Sequence, residues 1–475
     1  MNPYDLYSHP MIIKYLLICF VLILIQACAV PIKEVPTPVP VPENFSQAGT
    51  TSRQEHWWLA FNDVQLNQLI DQALNNNFSL ISAFNRLEQA EAIAIKSSAD
   101  LIPSIGAAFG GAQTYSNLSD GSHFALGLNA SYEVDLWGRL RAQKHAGELD
   151  VRAAEENLNT AAISLSSEVA IAWYRLVAQR SQLHLLKQQI KTNQDNVAIT
   201  ASRFAGAQAS AADLFQQQQT LEATKGDQNN VLITIQVLKH QLAILTGTTP
   251  GMLLLADDQL LPALPPQPKT GPGSELIQRR PDIRLAYFRV QAADQRTASA
   301  IADRFPKLSL SASIDTTSPN LQSLFNNWIA TLAGNLILPI VDGGRRVAEV
   351  ERNKAVTAES LNAYASTILQ AIKEVEDALI QEQQQQQLIS SLNKQYKLSQ
   401  KANEQIRLRY MYGAIDFLRV LTTQINQQSL ERSRIAAQRQ LIEYRIQLYR
   451  SLAGSWPLPS YKDATTIDNK ENQDG

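Results

Sequence analysis

Few side chains in this sequence are placed to do chemistry. The six histidines, His9, His56, His123, His145, His184 and His240, stand far apart, and no two share the spacing of a metal-binding pair. Beyond the leader only Met252 and Met411 remain as methionines, so no thioether cluster could relay a soft metal. There is no phosphate-cradling Gly-rich loop and no dinucleotide fingerprint. No serine or cysteine is set beside a histidine and a carboxylate in a recognisable pattern. Net charge is −2 with 18% charged residues, which offers no basic field for nucleic acid. The residues thus point away from an enzyme, a metal centre or a bound cofactor.

The exception is Cys28. It follows an apolar run, residues 11–27, that has Lys14 near its start and reads as a secretory leader rather than a membrane span. The run ends Ile25-Gln26-Ala27-Cys28, which resembles the bacterial lipobox and implies cleavage before Cys28, a diacylglycerol on its thiol and an acyl chain on its new amino terminus. Ala29 follows, where an Asp would retain a lipoprotein at the inner membrane, so the expected destination is the outer membrane. Cys19 leaves with the leader and Cys28 is consumed, which excludes a disulfide framework. Residues 31–42 are Pro-rich and should run extended as a tether.

The elements that would position anything else are two very long helical patterns. Between residues 345 and 410 small or apolar residues recur at alternating steps of three and four, with Lys354 as the one charged interruption: Val347, Val350, Thr357, Leu361, Tyr364, Ile368, Ala371, Val375, Ala378. No Pro or Gly interrupts them, and a helix of about 65 residues reaches roughly 100 Å at ~1.5 Å per residue. The seam is too narrow for the stripe of a core helix and predicts a neighbouring helix instead. Residues 139–204 carry a matching seam (Leu158, Ala162, Leu165, Val169, Ala172, Leu176, Leu183, Leu186, Ile190, Val197), with Gln179 and Asn193 as polar interruptions. The glutamine runs 216–219 and 383–387 read as an uncharged solvated face.

Each long pattern follows two strand-like runs and precedes a shorter helical one. Pro103 matches Pro306, Gly138 matches Gly344, Arg203 matches Arg409 and Gly247 matches Gly454, at an offset of about 205 residues. The chain is one unit written twice. It divides into a leader (1–27), a lipid-anchored tether (28–55), a first repeat (56–247), a linker (248–274), a second repeat (275–454) and a tail (455–475). The strand pairs fall near 103–137 and 306–341, the long helices at 139–204 and 345–410, and the shorter ones at 210–246 and 414–453.

The strand runs alternate strictly. Phe124, Leu126, Leu128, Ala130, Tyr132, Val134 and Leu136 share one side, with Asn129, Ser131, Glu133 and Asp135 on the other. Leu308, Leu310, Ala312 and Ile314 oppose Ser309, Ser311, Ser313 and Asp315, and residues 328–340 repeat the scheme behind Trp328. Runs of about ten residues, apolar on one side and polar on the other, fit the wall of a transmembrane barrel. Two such pairs, isolated by nearly two hundred residues of helix, make a poor soluble sandwich. Four strands cannot close a barrel, and an open edge cannot sit in lipid. Several chains must therefore share one barrel, and three would supply about twelve strands.

The sequences WWLAFNDVQLNQLIDQAL (from Trp57), YEVDLWGRLR (132–141), RRPDIRLA (279–286), LPIVDGGRR (338–346) and RYMYGAIDFLRVL (409–421) span nearly the whole mature chain. Together they make it resemble the TolC-like outer-membrane efflux ducts, in the lipoprotein branch that serves RND-type pumps. The resemblance implies a mainly α fold with transmembrane β: a trimeric 12-stranded outer-membrane barrel continuous with a long periplasmic α-helical barrel. It implies an equatorial belt built from the linker and tail. The implied partners are two further copies, a periplasmic adaptor, an inner-membrane RND-type transporter and outer-membrane lipid. The implied function is passive exit of small molecules through a polar, acidic lumen (Glu133, Asp135, Asp315). Alternatives are a duct for exported polypeptides and a lipid-anchored coiled-coil scaffold without a pore.

By the same resemblance, the turns between each long helix and its shorter neighbour form a periplasmic tip that closes at rest. Candidate gate residues are Arg203, Asp213, Arg409, Tyr410, Tyr412, Asp416 and Arg419, whose charges and rings could link neighbouring helices. Ala207 stands where the second repeat has Gly413, so the two turns should contribute unequally. Gly138, Gly343 and Gly344 mark the strand-to-helix turns, where permissive backbone is expected.

Overall fold

A computed structural model describes residues 35–51, 56–117, 121–256, 260–454 and 458. Cys28, the leader and almost all of the tail lie outside the described residues. In chain order the elements are a 3-10 turn Trp57–Phe61, α1 Val64–Asn76, α2 Phe78–Ala99, β1 Ser104–Thr114, β2 Gly121–Val134, α3 Arg139–Ala205, α4 Ala211–Leu245, α5 Gly273–Arg279, α6 Pro281–Ala302, β3 Lys307–Ser318, β4 Trp328–Ile337, α7 Arg345–Met411 and α8 Phe417–Leu452. The long helices α3 and α7 are 67 residues each.

Two details differ from the sequence expectation. The second repeat opens with two helices, because the Arg280-Pro281 step interrupts the pattern. The last helix starts at Phe417 rather than 414, because residues up to Asp416 complete the turn and its cap. The chain also forms two compact units, and they cut across the repeats. One holds Arg86–Glu155 and Leu285–Thr367, with residues 35–38. The other holds Val39–Asn85, Glu156–Arg284 and the chain from Ile368 onward.

The first unit contains the sheet, a single four-stranded layer in the order β1-β2-β3-β4, antiparallel throughout. The two hairpins are therefore not isolated, as the sequence suggested: β2 pairs with β3 from Phe124↔Ser318 to Val134↔Leu308. Ladder pairing joined what two hundred residues of intervening helix had separated. A hydrogen bond from the Ser122 hydroxyl to the Pro319 carbonyl, 2.6 Å, ties the hairpin ends.

The second unit holds the densest core. Trp173, Tyr174, Leu176 and Val177 on α3 are all fully buried, packed among Trp57, Phe61 and Tyr449. Trp57 stacks on Tyr449 at 5.6 Å, and Phe61 meets Tyr174 at 5.4 Å. Such aromatic pairs add ~0.5–1.5 kcal/mol beyond the area they bury. The Trp173 indole donates to Asp63 Oδ2 at 2.8 Å, while Asp63 Oδ1 caps α1 at Leu66. At mid-length α3 is thus a core helix on most of its circumference, which a seam read at heptad spacing did not anticipate. The seam itself is buried from Leu158 to Leu176 and at Leu186, as is that of α7 from Tyr364 to Ala378, whereas Val347 is exposed.

The Pro-rich stretch is only partly a tether. From residue 41 it packs within the second unit: the Gly273 amide donates to Pro42 O, the Ser46 amide to Glu376 Oε1, and Thr51 bridges to Pro268. The linker at 248–274 is held in the same way. Arg445 reaches the Pro265 carbonyl and Arg180 the Ala256 carbonyl. Arg280 of the RRPDIRLA segment pairs with Asp282 and Glu374 and donates to Ser451 O at the end of α8.

Candidate functional site

Strand alternation and register combine into two continuous sheet faces. On one, Ile105 opposes Ala130, Leu128 opposes Ile314, Ala130 opposes Ala312, and Ala312 opposes Leu332. On the other, Ser104 opposes Ser131, Asn129 opposes Ser313, and Ser309 opposes Asn335. The apolar face is not covered by the chain's own residues: Ile105 is 79% exposed, Leu332 85% and Trp328 66%. Soluble folds do not leave such a patch bare. Neither outer edge, on β1 or β4, has a strand partner among the described residues.

At the strand-to-helix turns the three glycines hold left-handed backbone: Gly138 at φ 77°, Gly343 at 64° and Gly344 at 82°. A side chain there would be strained. Each turn is fixed by an acidic residue just ahead of the helix. Asp135 accepts from the Leu140 and Arg141 amides, and Asp342 from those of Gly344 and Arg346. Capping the first turn of a helix with a carboxylate satisfies otherwise orphaned amides. Glu133 is held by both nitrogens of the Arg139 fork, at 2.8–3.1 Å. So Glu133 and Asp135 are neutralised by Arg139 and Arg141 rather than lining an acidic wall, which corrects the sequence reading. Among the described residues Asp315 accepts from the nearby Ser313 hydroxyl alone. The signal that could have revealed this is Asp followed two or three residues later by Gly-Arg, a helix-start pattern in both repeats.

The helical turns are near copies. In the first, the Gln208 amide donates to Arg203 O and the Ala207 amide to Phe204 O; in the second, Ala414 donates to Arg409 O and Gly413 to Tyr410 O. Both are Schellman closures with the residue after the helix in the left-handed region, Ala207 at φ 54° and Gly413 at 70°. The Ala–Gly difference therefore leaves the turn geometry intact and costs strain instead, about 1 kcal/mol. Ala207→Gly should raise the thermal midpoint, whereas Gly413→Ala should lower it; equal effects of the two changes would refute the strained-alanine account.

The structure separates the candidate gate residues by what they touch. Asp213 completes a capping box with Ser210, and Asp416 caps α8 through the Arg419 amide. Tyr412 is 85% exposed, and Arg409 and Arg419 are also exposed. Arg203 and Tyr410 are brought together: the guanidinium lies 4.6 Å from the ring centroid, and Tyr410 packs on Phe417 at 5.7 Å. The Arg203 Nε is buried without a hydrogen-bond partner. This contact joins the ends of α3 and α7, one from each repeat.

Sequence reading missed a polar stretch just above these turns. Asn193 is fully buried, donating to Thr224 and accepting from Gln424 and Gln428, while Gln189 reaches Gln428 O and Glu431. Gln217 and Gln385, taken as solvated, are buried too, and Gln385 donates to Ala437 O. The helix seam turns from apolar to amide-rich toward the tip, so packing there is held by directional hydrogen bonds.

A bare apolar sheet face backed by a polar one, in a chain that also carries two 67-residue helices, fits an outer-membrane channel protein. A family model for outer membrane efflux proteins matches residues 69–248 and again residues 273–454, and the chain belongs to that family. The double match falls on the two repeats. The pyoverdine export outer membrane protein OpmQ of Pseudomonas aeruginosa is 29% identical, over 84% of this chain and 87% of its own length. A probable outer membrane lipoprotein, SilC of Salmonella typhimurium, is 26% identical over 88% of this chain and 94% of its own. The solved outer-membrane channel OprN superposes with a TM-score of 0.83 at 26% identity, covering 89% of this chain and 99% of that one. The protein is an outer-membrane exit channel of the tripartite efflux class.

Proposed function

We propose that three copies of this chain close one tube through which small molecules pass passively to the outside. The observation that carries the reading is the four-stranded sheet with two unpaired edges and one bare apolar face. Lipid does not tolerate unpaired strand edges, so copies must complete one another, and three give about twelve strands. The polar face then lines the lumen. A diacylglycerol and an N-acyl chain on Cys28 add a second hold on the membrane, in keeping with the lipoprotein named among the relatives. Energy comes from elsewhere, through a periplasmic adaptor and an inner-membrane RND-type pump that meet the helical end. The turns carrying Arg203, Asp213, Arg409, Tyr410, Tyr412, Asp416 and Arg419 form the gate, with the Arg203–Tyr410 contact as its link within one chain.

The deciding experiment uses a Cys28→Ala protein exported with an unrelated cleavable signal. It should still extract from membranes only with detergent, run as a heat-modifiable oligomer and give step-like currents in planar bilayers. Release into the soluble fraction as a non-conducting monomer would establish a lipid-dependent scaffold instead.

A further inference from the structure

A cavity of about 610 Å³ opens in the sheet-bearing unit, where strands give way to helices. Five arginines line it: Arg139, Arg296, Arg345, Arg346 and Arg352. Four are engaged, Arg139 with Glu133, Arg296 with Asp150, Arg346 with Asp303 and Asp342, and Arg352 with Glu349. Arg345 is exposed, and among the described residues its guanidinium has no hydrogen bond or ion pair. With Lys307 counted beside Asp303, the cluster retains one uncompensated positive charge. Hydrogen bonds from Arg352 and Asn353 hold Glu349 down to about 2. Burial works against the charge on Asp303, but Lys307 and Arg346 overcome it and keep its pKa below the usual range. Glu349 and Asp303 thus keep their charge at neutral pH.

The cavity shares Arg139 with a second one, of about 390 Å³, lined by Ser104, Ser131, Glu133 and Ser309. Those four residues belong to the polar sheet face. Both cavities therefore lie on the side that the duct reading makes the lumen.

We propose that this arginine cavity is an anion-binding station in the lumen, taking small multivalent anions such as polycarboxylates and phosphate esters through Arg345. It rests on the duct reading and deepens it, because it gives the lumen wall a charge preference of its own. Guanidinium groups match carboxylate and phosphate oxygens in paired geometry, and a half-exposed Arg296 and a more exposed Arg352 leave donors free beside Arg345. A compartment walled by protein strengthens this attraction over its value in open water.

The test titrates inorganic tripolyphosphate in two ways. In planar bilayers the wild type should show concentration-dependent block, and Arg345→Glu should weaken it by about tenfold, while Arg345→Lys retains most of it. Lys354→Glu makes the same charge change on the same helix outside the cavity and should leave the block unaltered. Block that is equal in Arg345→Glu and wild type would overturn the proposal. In parallel, calorimetric titration of the detergent-solubilised protein should show the same dependence on Arg345. A wild type that carries no current would defeat the duct reading, and the calorimetry would still decide the site. Loss of tripolyphosphate binding when phosphatidylglycerol is added would reassign the arginines to a lipid headgroup and overturn the luminal assignment.

Discussion

Arg445→Met should be among the most destabilising single changes in the chain, lowering folding stability by about 3–5 kcal/mol. Arg445 is 2% exposed and its partner Glu382 is 3% exposed. The Arg445 Nε donates to Glu382 Oε2 at 2.8 Å, and another arm reaches the Pro265 carbonyl. Removing the guanidinium strands a carboxylate in the protein interior and leaves that carbonyl unsatisfied. Glu382→Leu strands the opposite charge and should cost a similar amount. The double variant, Arg445→Met with Glu382→Leu, removes both charges and should recover most of the loss, because a buried pair gains little over apolar neighbours of similar volume. Thermal unfolding of the purified protein in detergent would show this as two low midpoints and one much closer to wild type. A double variant as unstable as Arg445→Met alone, with Glu382→Leu near wild type, would mean that the linker contact at Pro265, not the charge pair, dominates.

Tyr410→Ala should convert a mostly closed tip into a mostly open one. Arg203 sits over the Tyr410 ring at 4.6 Å. A cation–π contact of this kind gives ~0.5–1 kcal/mol at an exposed site. Three copies in a ring would sum to about 1.5–3 kcal/mol, which shifts a two-state equilibrium by roughly ten- to a hundredfold. In planar bilayers the open fraction should rise accordingly, and Arg203→Ala should do the same. Tyr410→Phe keeps the ring and should stay near wild type. Asp416 needs a gentler change than Ala, since its side chain caps α8 and uncapping alone costs ~1 kcal/mol. Asp416→Asn keeps the cap and isolates the charge. An unchanged open fraction in Tyr410→Ala would remove the contact from the gate.

Local order explains what was legible in the residues. Seam spacing, free of Pro and Gly in the second repeat and crossed only by Gly147 in the first, located both long helices, and alternation gave the faces of three strand runs, because each depends on periods of the backbone itself. The repeat was visible for the same reason: matched glycines mark matched turns, and Gly413 and Ala207 indeed hold the same backbone. The need for more than one chain also follows from strand count and the chemistry of lipid.

What the amino-acid order could not supply was pairing between distant groups. Nothing near Phe124 names Ser318 as its neighbour, yet that register fuses two hairpins into one sheet. Glu133, Asp135 and Asp315 look alike in a string of letters. Only folding brought Arg139 and Arg141 onto the first two, turning an expected acidic wall into capped and compensated turns. The same holds for the glutamines, whose burial depends on which helix lies opposite, and for five arginines from three helices that share one cavity. Periodicity is a property of neighbours along the chain and so is written in it. Charge balance and burial are properties of neighbours in space, and the tertiary structure alone decides them.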